Sequence, residues 1–136
     1  MRLVIDTNIF IISLIGKGSP KLMDWMADKK FKILFSNESY SELIEVLKRP
    51  KFNKLFTEKK ILELLELLDV IMEKVKIRTN TDICRDKKDN FLLNLSKDGK
   101  ADYLITEDLD LLEIKEFNKT KIVKYKEFIK LVFIEK

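Results

Sequence analysis

Leu3-Val4-Ile5-Asp6-Thr7-Asn8 opens the chain with a short apolar run that closes on an acid and leads straight into Ile9-Phe10-Ile11-Ile12. Such a run predicts a strand buried on both faces, followed at once by a helix from about Asn8 to Ile15. Tyr103-Leu104-Ile105-Thr106 repeats the pattern much later, with Asp108 two positions beyond. Strands of this kind belong to parallel sheets covered by helices on both faces, where ligands gather beyond the carboxyl ends.

Working outward, Phe31 to Phe35 predicts a second strand ended by Ser36-Asn37. Leu43, Ile44 and Leu47 give a helix over Tyr40 to Leu47, stopped at Arg49-Pro50. Thr57 opens the longest helix, to about Lys74, and Val75-Lys76-Ile77 is a further strand candidate. Asp86 to Lys97 predicts a helix ended near Gly99, Leu109 to Leu112 a helical turn, Lys121 to Val123 a strand, and Tyr125 to Phe133 the last helix. Gly16-Lys17-Gly18-Ser19-Pro20 is the one clear turn cluster, and Ser19 can cap a helix carrying Leu22, Met23, Trp25 and Met26. This alternation predicts an α/β protein: a three-layer α/β/α sandwich on a parallel, Rossmann-like central sheet, one domain over residues 1–136.

Composition narrows the chemistry. The chain has no histidine and a single cysteine, Cys84, so the usual zinc, haem and Ser-His-Asp chemistries are out of reach and an internal disulfide framework is excluded. A lone thiol fits a reducing cytoplasm, and no stretch approaches the ~20 apolar residues of a membrane span. The net charge is +4, with 27 basic and 23 acidic residues, a modest excess that favours a polyanionic partner.

Four carboxylates stand where this architecture would bring them to one sheet edge: Asp6 and Asp108 past strand ends, Glu42 and Asp89 early in helices. Each alone has an ordinary reading. Asp6 and Asp108 can cap the turns after their strands, Glu42 can complete a capping box with Ser39, and Asp89 can complement a helix dipole. Together they point to a hard divalent cation, because gathered carboxylates raise one another's pKa unless positive charge holds them. Asp86, three residues before Asp89, and Asp110, two beyond Asp108, are further candidates, with Asn8 and Thr106 as groups that could orient the acids.

Four blocks carry a family resemblance: Leu3-Val4-Ile5-Asp6-Thr7-Asn8, Ser39-x-x-Glu42-Leu43-x-Glu45-Val46-Leu47, Arg85-Asp86-x-x-Asp89-Asn90-x-Leu92 and Leu104-Ile105-Thr106-x-Asp108-x-Asp110-Leu111-Leu112. In this order they resemble PIN-domain proteins, and among these the VapC-type toxins of prokaryotic toxin–antitoxin pairs. The resemblance implies an acidic site of Asp6, Glu42, Asp89 and Asp108 holding Mg²⁺ or Mn²⁺, supported by Asn8 and Thr106. It also implies hydrolysis of single-stranded RNA to products with 5′-phosphate ends. A small antitoxin would inhibit by laying a helix or tail across the site. The apolar helices from Tyr40 to Met72 are a candidate surface for such a partner or for a homodimer. The long Thr57 to Lys74 segment departs from the smallest toxins and leaves the partner and the RNA target open.

Arg49, Lys51, Arg85, Lys87 and Lys88 are candidates to hold an RNA backbone, and Phe52 and Phe56 either stack bases or anchor their turn. An inactive PIN fold serving as an interaction module, or an RNA-processing nuclease outside any toxin pair, are the alternatives. A haloacid-dehalogenase-like phosphatase would need an acid where Asn8 stands, and a receiver-type domain would need paired acids where Arg2 to Asn8 offers one.

Overall fold

A computed structural model describes residues 1–15, 28 and 30–134. The helix expected to carry Leu22, Met23, Trp25 and Met26 lies outside the described residues. The elements are β1 (Arg2–Ile5), α1 (Thr7–Ile15), β2 (Lys32–Phe35), α2 (Asn37–Leu47), α3 (Glu58–Ile71), β3 (Glu73–Lys74), α4 (Asn90–Asp98), β4 (Tyr103–Ile105), α5 (Leu109–Leu112), β5 (Glu116–Phe117), β6 (Thr120–Val123) and α6 (Tyr125–Ile129). Short 3₁₀ turns at Pro50–Phe52 and Lys87–Asp89 precede α3 and α4, and a π-helical turn, Lys130–Ile134, follows α6.

The sheet order is β3-β2-β1-β4-β6-β5, parallel except where β5 runs antiparallel to β6. Side chains alternate across it, as the period of two requires. Leu3, Ile5, Ile33, Phe35, Ile105 and Val123 pack with α1, α2, α3 and α6 on one face. Val4, Leu34, Leu104 and Ile122 pack with α4 and α5 on the other. The result is the three-layer α/β/α sandwich that the buried runs predict. Chain order reverses between β1 and β4, which places the ends of those strands, and hence Asp6 and Asp108, at a topological switch point.

Several boundaries differ from the sequence reading for local reasons. The third strand is Glu73–Lys74 rather than Val75-Lys76-Ile77, and Glu73 is held at the sheet edge by the Arg2 guanidinium. Helix α2 begins earlier, because Ser36 and Ser39 form the capping box; Glu42 is left out of it. The segment after Asp86 starts as a 3₁₀ turn, with the Asp86 carboxylate accepting the Lys88 N–H. The β5–β6 hairpin carries little signature in the sequence, its strands being two residues long at the pairing and its turn carrying Asn118 at φ 53° instead of glycine.

Helix α4 does end at Gly99, but the left-handed residue there is Lys100, φ 54°. Gly99 is required by close approach: a Cβ would stand 2.6 Å from Leu34 Cδ1 and 2.9 Å from the Leu95 carbonyl oxygen. Its own carbonyl accepts the Arg2 Nε–H at 2.7 Å. Gly99→Ala is therefore expected to destabilise the fold by about 1–3 kcal/mol, as overpacking does, read by urea denaturation. An unchanged midpoint would mean that Leu34 yields without cost.

Candidate active site

Beyond the carboxyl ends of β1 and β4 lies a cleft of about 380 Å³ whose walls include Asp6, Glu42, Asp89 and Asp108. Asp6 is almost fully buried, and its Oδ2 accepts the Thr106 hydroxyl at 2.7 Å. Backbone N–H groups of Thr7 and Asn8, at the start of α1, also reach its carboxylate. Glu42 is carried across from α2 and accepts the Thr7 hydroxyl. Asp108 caps α5, its Oδ1 accepting the Asp110 N–H at 2.9 Å. Asp89 precedes α4 without capping it, and its carboxyl shares a hydrogen bond with Asp108. The ordinary capping roles of Asp6 and Asp108 thus coexist with a shared cleft.

Burial and mutual repulsion mark the electrostatics. Burial pushes the Asp6 carboxyl up, opposed by its hydrogen bonds and reinforced by Asp108. Burial likewise raises Glu42, against the Thr7 hydrogen bond and with Asp6 and Glu45 adding repulsion. Asp89 is pushed up to about 8, first by burial, then by its hydrogen bond to Asp108 and by the charges of Asp6, Asp108 and Asp86. Opposing this, Arg49 is the one basic residue among those described on the cleft wall. The acids are short of positive charge.

The remaining candidates divide. Asn8 faces the cleft, and Thr106 bridges Asp6 and Asp108, accepting the Asp108 N–H at 3.0 Å. Asp110 is not on the cleft wall; its backbone holds Asp108, and its side chain stands 3.9 Å from Arg85 Nε. Asp86, expected to share a helix face with Asp89, instead caps the 3₁₀ turn and is exposed. Glu107, passed over in the sequence as a spacer, lies on the wall, where its Oε2 accepts the Tyr125 N–H at 3.0 Å. Its position at the end of β4, between two residues already singled out, was the available signal.

Among the basic candidates, Lys88 joins Arg49, Glu45 and Phe91 in a groove that adjoins the cleft through Glu42. Arg85 is paired with Glu113, and Lys51 lies over the Phe52 ring at 4.9 Å. Phe52 and Phe56 pack on each other and on the core, so they anchor their turn. Cys84 is buried, which raises its thiol, and its N–H donates to the Asn90 side chain.

Among the described residues, no three acids already stand at metal-ligand spacing. The donor set nevertheless suits a hard cation: every acid offers oxygen, hydroxyls orient Asp6 and Glu42, and burial with mutual repulsion raises the carboxyls of Asp6, Glu42 and Asp89, a cost that a cation would offset.

Fold and cleft together define an open α/β protein with an acidic site at its switch point. The chain belongs to the PIN-domain family, whose model matches residues 2–110. Proteins of that family are generally nucleases that use divalent metals. The chain is also 33% identical, over 122 residues, to an uncharacterized protein of Methanocaldococcus jannaschii, a match spanning 88% of this chain and 78% of that protein. No solved structure matches it. Among the described residues, no helix is long and apolar enough to cross a membrane.

Proposed function

We propose that this protein is a Mg²⁺- or Mn²⁺-dependent endoribonuclease that hydrolyses phosphodiester bonds of single-stranded RNA. The observation that carries the reading is the convergence of Asp6, Glu42, Asp89 and Asp108 on one cleft with too little positive charge to balance them. These four carboxylates would hold the cation, which supplies neutralisation of phosphate charge and a lowered pKa for an attacking water. Thr106 and the N–H groups of Thr7 and Asn8 fix Asp6, Thr7 fixes Glu42, and the Asp110 N–H fixes Asp108. Arg49 lines the cleft wall and would take a phosphate oxygen of the substrate strand.

Membership of a toxin–antitoxin pair is the finer part of the proposal and rests on the motif resemblance. It is tested by co-expression with the product of any short reading frame immediately upstream, which should bind and inhibit. For the activity, labelled single-stranded RNA is incubated with purified protein in Mn²⁺, Mg²⁺ or EDTA, beside duplex RNA and single-stranded DNA. Cleavage in either metal, abolished by EDTA and strongest on single-stranded RNA, is expected. Absence of cleavage in all metals, with no metal binding by calorimetry, would instead favour a fold that acts through a partner.

A further inference from the structure

A second cavity, of about 390 Å³, opens beside the acidic cleft between α1 and the start of α6, and the two share Ile9, Ile12 and Glu107 as common walls. Its chemistry is opposite to that of the cleft. Ile9, Ile12 and the half-buried Tyr125 give it an apolar lining, and the one hydroxyl on the α1 side, Ser13 Oγ, already donates to the Ile9 carbonyl at 2.9 Å. Lys124 and Lys126, both exposed, flank Tyr125 at its rim. The Glu107 carboxylate accepts the Tyr125 N–H and so ties the start of α6 to the end of β4. Ile12 is 58% exposed, an apolar side chain left on the surface next to a polar site.

We infer that this cavity is a nucleobase subsite, taking one unpaired base of the RNA strand next to the phosphate held in the acidic cleft. The inference rests on the nuclease reading and specifies its substrate. A flat apolar base suits the isoleucine and tyrosine walls, and the flanking phosphates suit the two lysines. The size lies within the range of ligand pockets, roughly 300–1,000 Å³. The shared walls make the two sites neighbours, so that one strand can reach both. An unpaired base leaves its stack to enter at lower cost than a paired one, so the subsite would favour single strands. The groove on the other flank, with Arg49, Lys88 and Phe91, also carries Glu38, Glu42 and Glu45 and matches a polyanion less well.

The test is binding of a labelled eight-nucleotide single-stranded RNA in Ca²⁺, with an abasic site walked along the strand, to wild type, Ile12→Ser and Lys126→Ala. Both residues are exposed, and thermal melting checks that the variants fold. One abasic position should weaken wild-type binding by about fivefold to a hundredfold, the range for a stacked base. Ile12→Ser should bind intact RNA more weakly and show little further loss at that position. Lys126→Ala should weaken binding of all RNAs and reduce the salt dependence by about one phosphate contact. If no abasic position matters, or Ile12→Ser keeps the full abasic loss, the subsite is overturned while RNA cleavage by wild type still upholds the nuclease. If wild type neither binds nor cuts RNA, both readings fall. Unchanged RNA binding in both variants would likewise overturn the subsite.

Discussion

Asp89→Asn is expected to lower metal-dependent RNA cleavage by roughly a hundred- to a thousandfold, on the scale of a lost electrostatic partner of the transition state, while making the metal-free protein more stable at pH 8. The two effects have one cause. The Asp89 carboxyl is pushed from 3.8 up to about 8 by burial, by the hydrogen bond with Asp108 and by neighbouring acids. The folded protein therefore keeps a proton that the unfolded chain releases at ordinary carboxylate pH. Across that window the unfolded state binds fewer protons, so stability falls as pH rises from about 4 to about 8. The raised Asp6 and Glu42 act in the same direction. Glu73 and Asp98, held low by Arg2 and by the hydrogen bonds of Thr79 and Arg78, oppose it only at more acid pH, where their contribution is lost as pH falls.

Asparagine keeps the shape and removes the charge. In EDTA the variant should melt about 3–6 °C above wild type at pH 8 and close to it at pH 5, corresponding to roughly 1–1.5 kcal/mol once solvent screening of a half-exposed group is allowed for. Mg²⁺ or Mn²⁺ should stabilise wild type more at pH 8 than at pH 5, because binding displaces the Asp89 proton, and should stabilise the variant less. An equal shift at both pH values would mean that the acids do not repel one another. Undiminished cleavage by the variant would remove Asp89 from the site.

What the sequence made legible follows from burial. Leu3-Val4-Ile5 and Tyr103-Leu104-Ile105 are apolar because β1 and β4 lie at the sheet centre with helices on both faces, so their ends, and the acids there, could be located. The sheet margins lack that signature. Strand β3 is two polar residues, Glu73 and Lys74, paired through backbone and the Arg2 guanidinium, while the apolar Val75 and Ile77 just beyond it pack under the sheet on the α4 side. Local motifs competed as well. Ser39-x-x-Glu42 fits a capping box, yet Ser36 caps the helix and Thr7 draws Glu42 into the cleft from a distant segment. Contacts of that range leave no trace in residue spacing. The same holds for Glu107, whose partner is the Tyr125 backbone.

Thr106→Val should cost more than its single hydroxyl suggests, with cleavage reduced about ten- to a hundredfold, as when the partner that orients a metal ligand is lost. Thr106 is fully buried at the end of β4, and its N–H donates to the Val123 carbonyl, so its position is set by the sheet. From there one oxygen serves two acids, donating to Asp6 Oδ2 and accepting the Asp108 N–H. Valine matches the shape but leaves both partners short, at about 1–3 kcal/mol of stability for a buried group without its hydrogen bond. The Thr106 hydrogen bond is also the largest influence holding the Asp6 carboxyl down against burial. Without it Asp6 ionises at higher pH, so the rising limb of the activity–pH profile should move to higher pH and the metal requirement should increase, most strongly below neutrality. Thr106→Ser restores the hydroxyl and should recover most of the activity and the original profile. A role confined to folding would lower activity by the same factor at every pH, with serine, which lacks the packed methyl, no better than valine. The displaced profile is thus the result that makes Thr106 a positioning residue for Asp6.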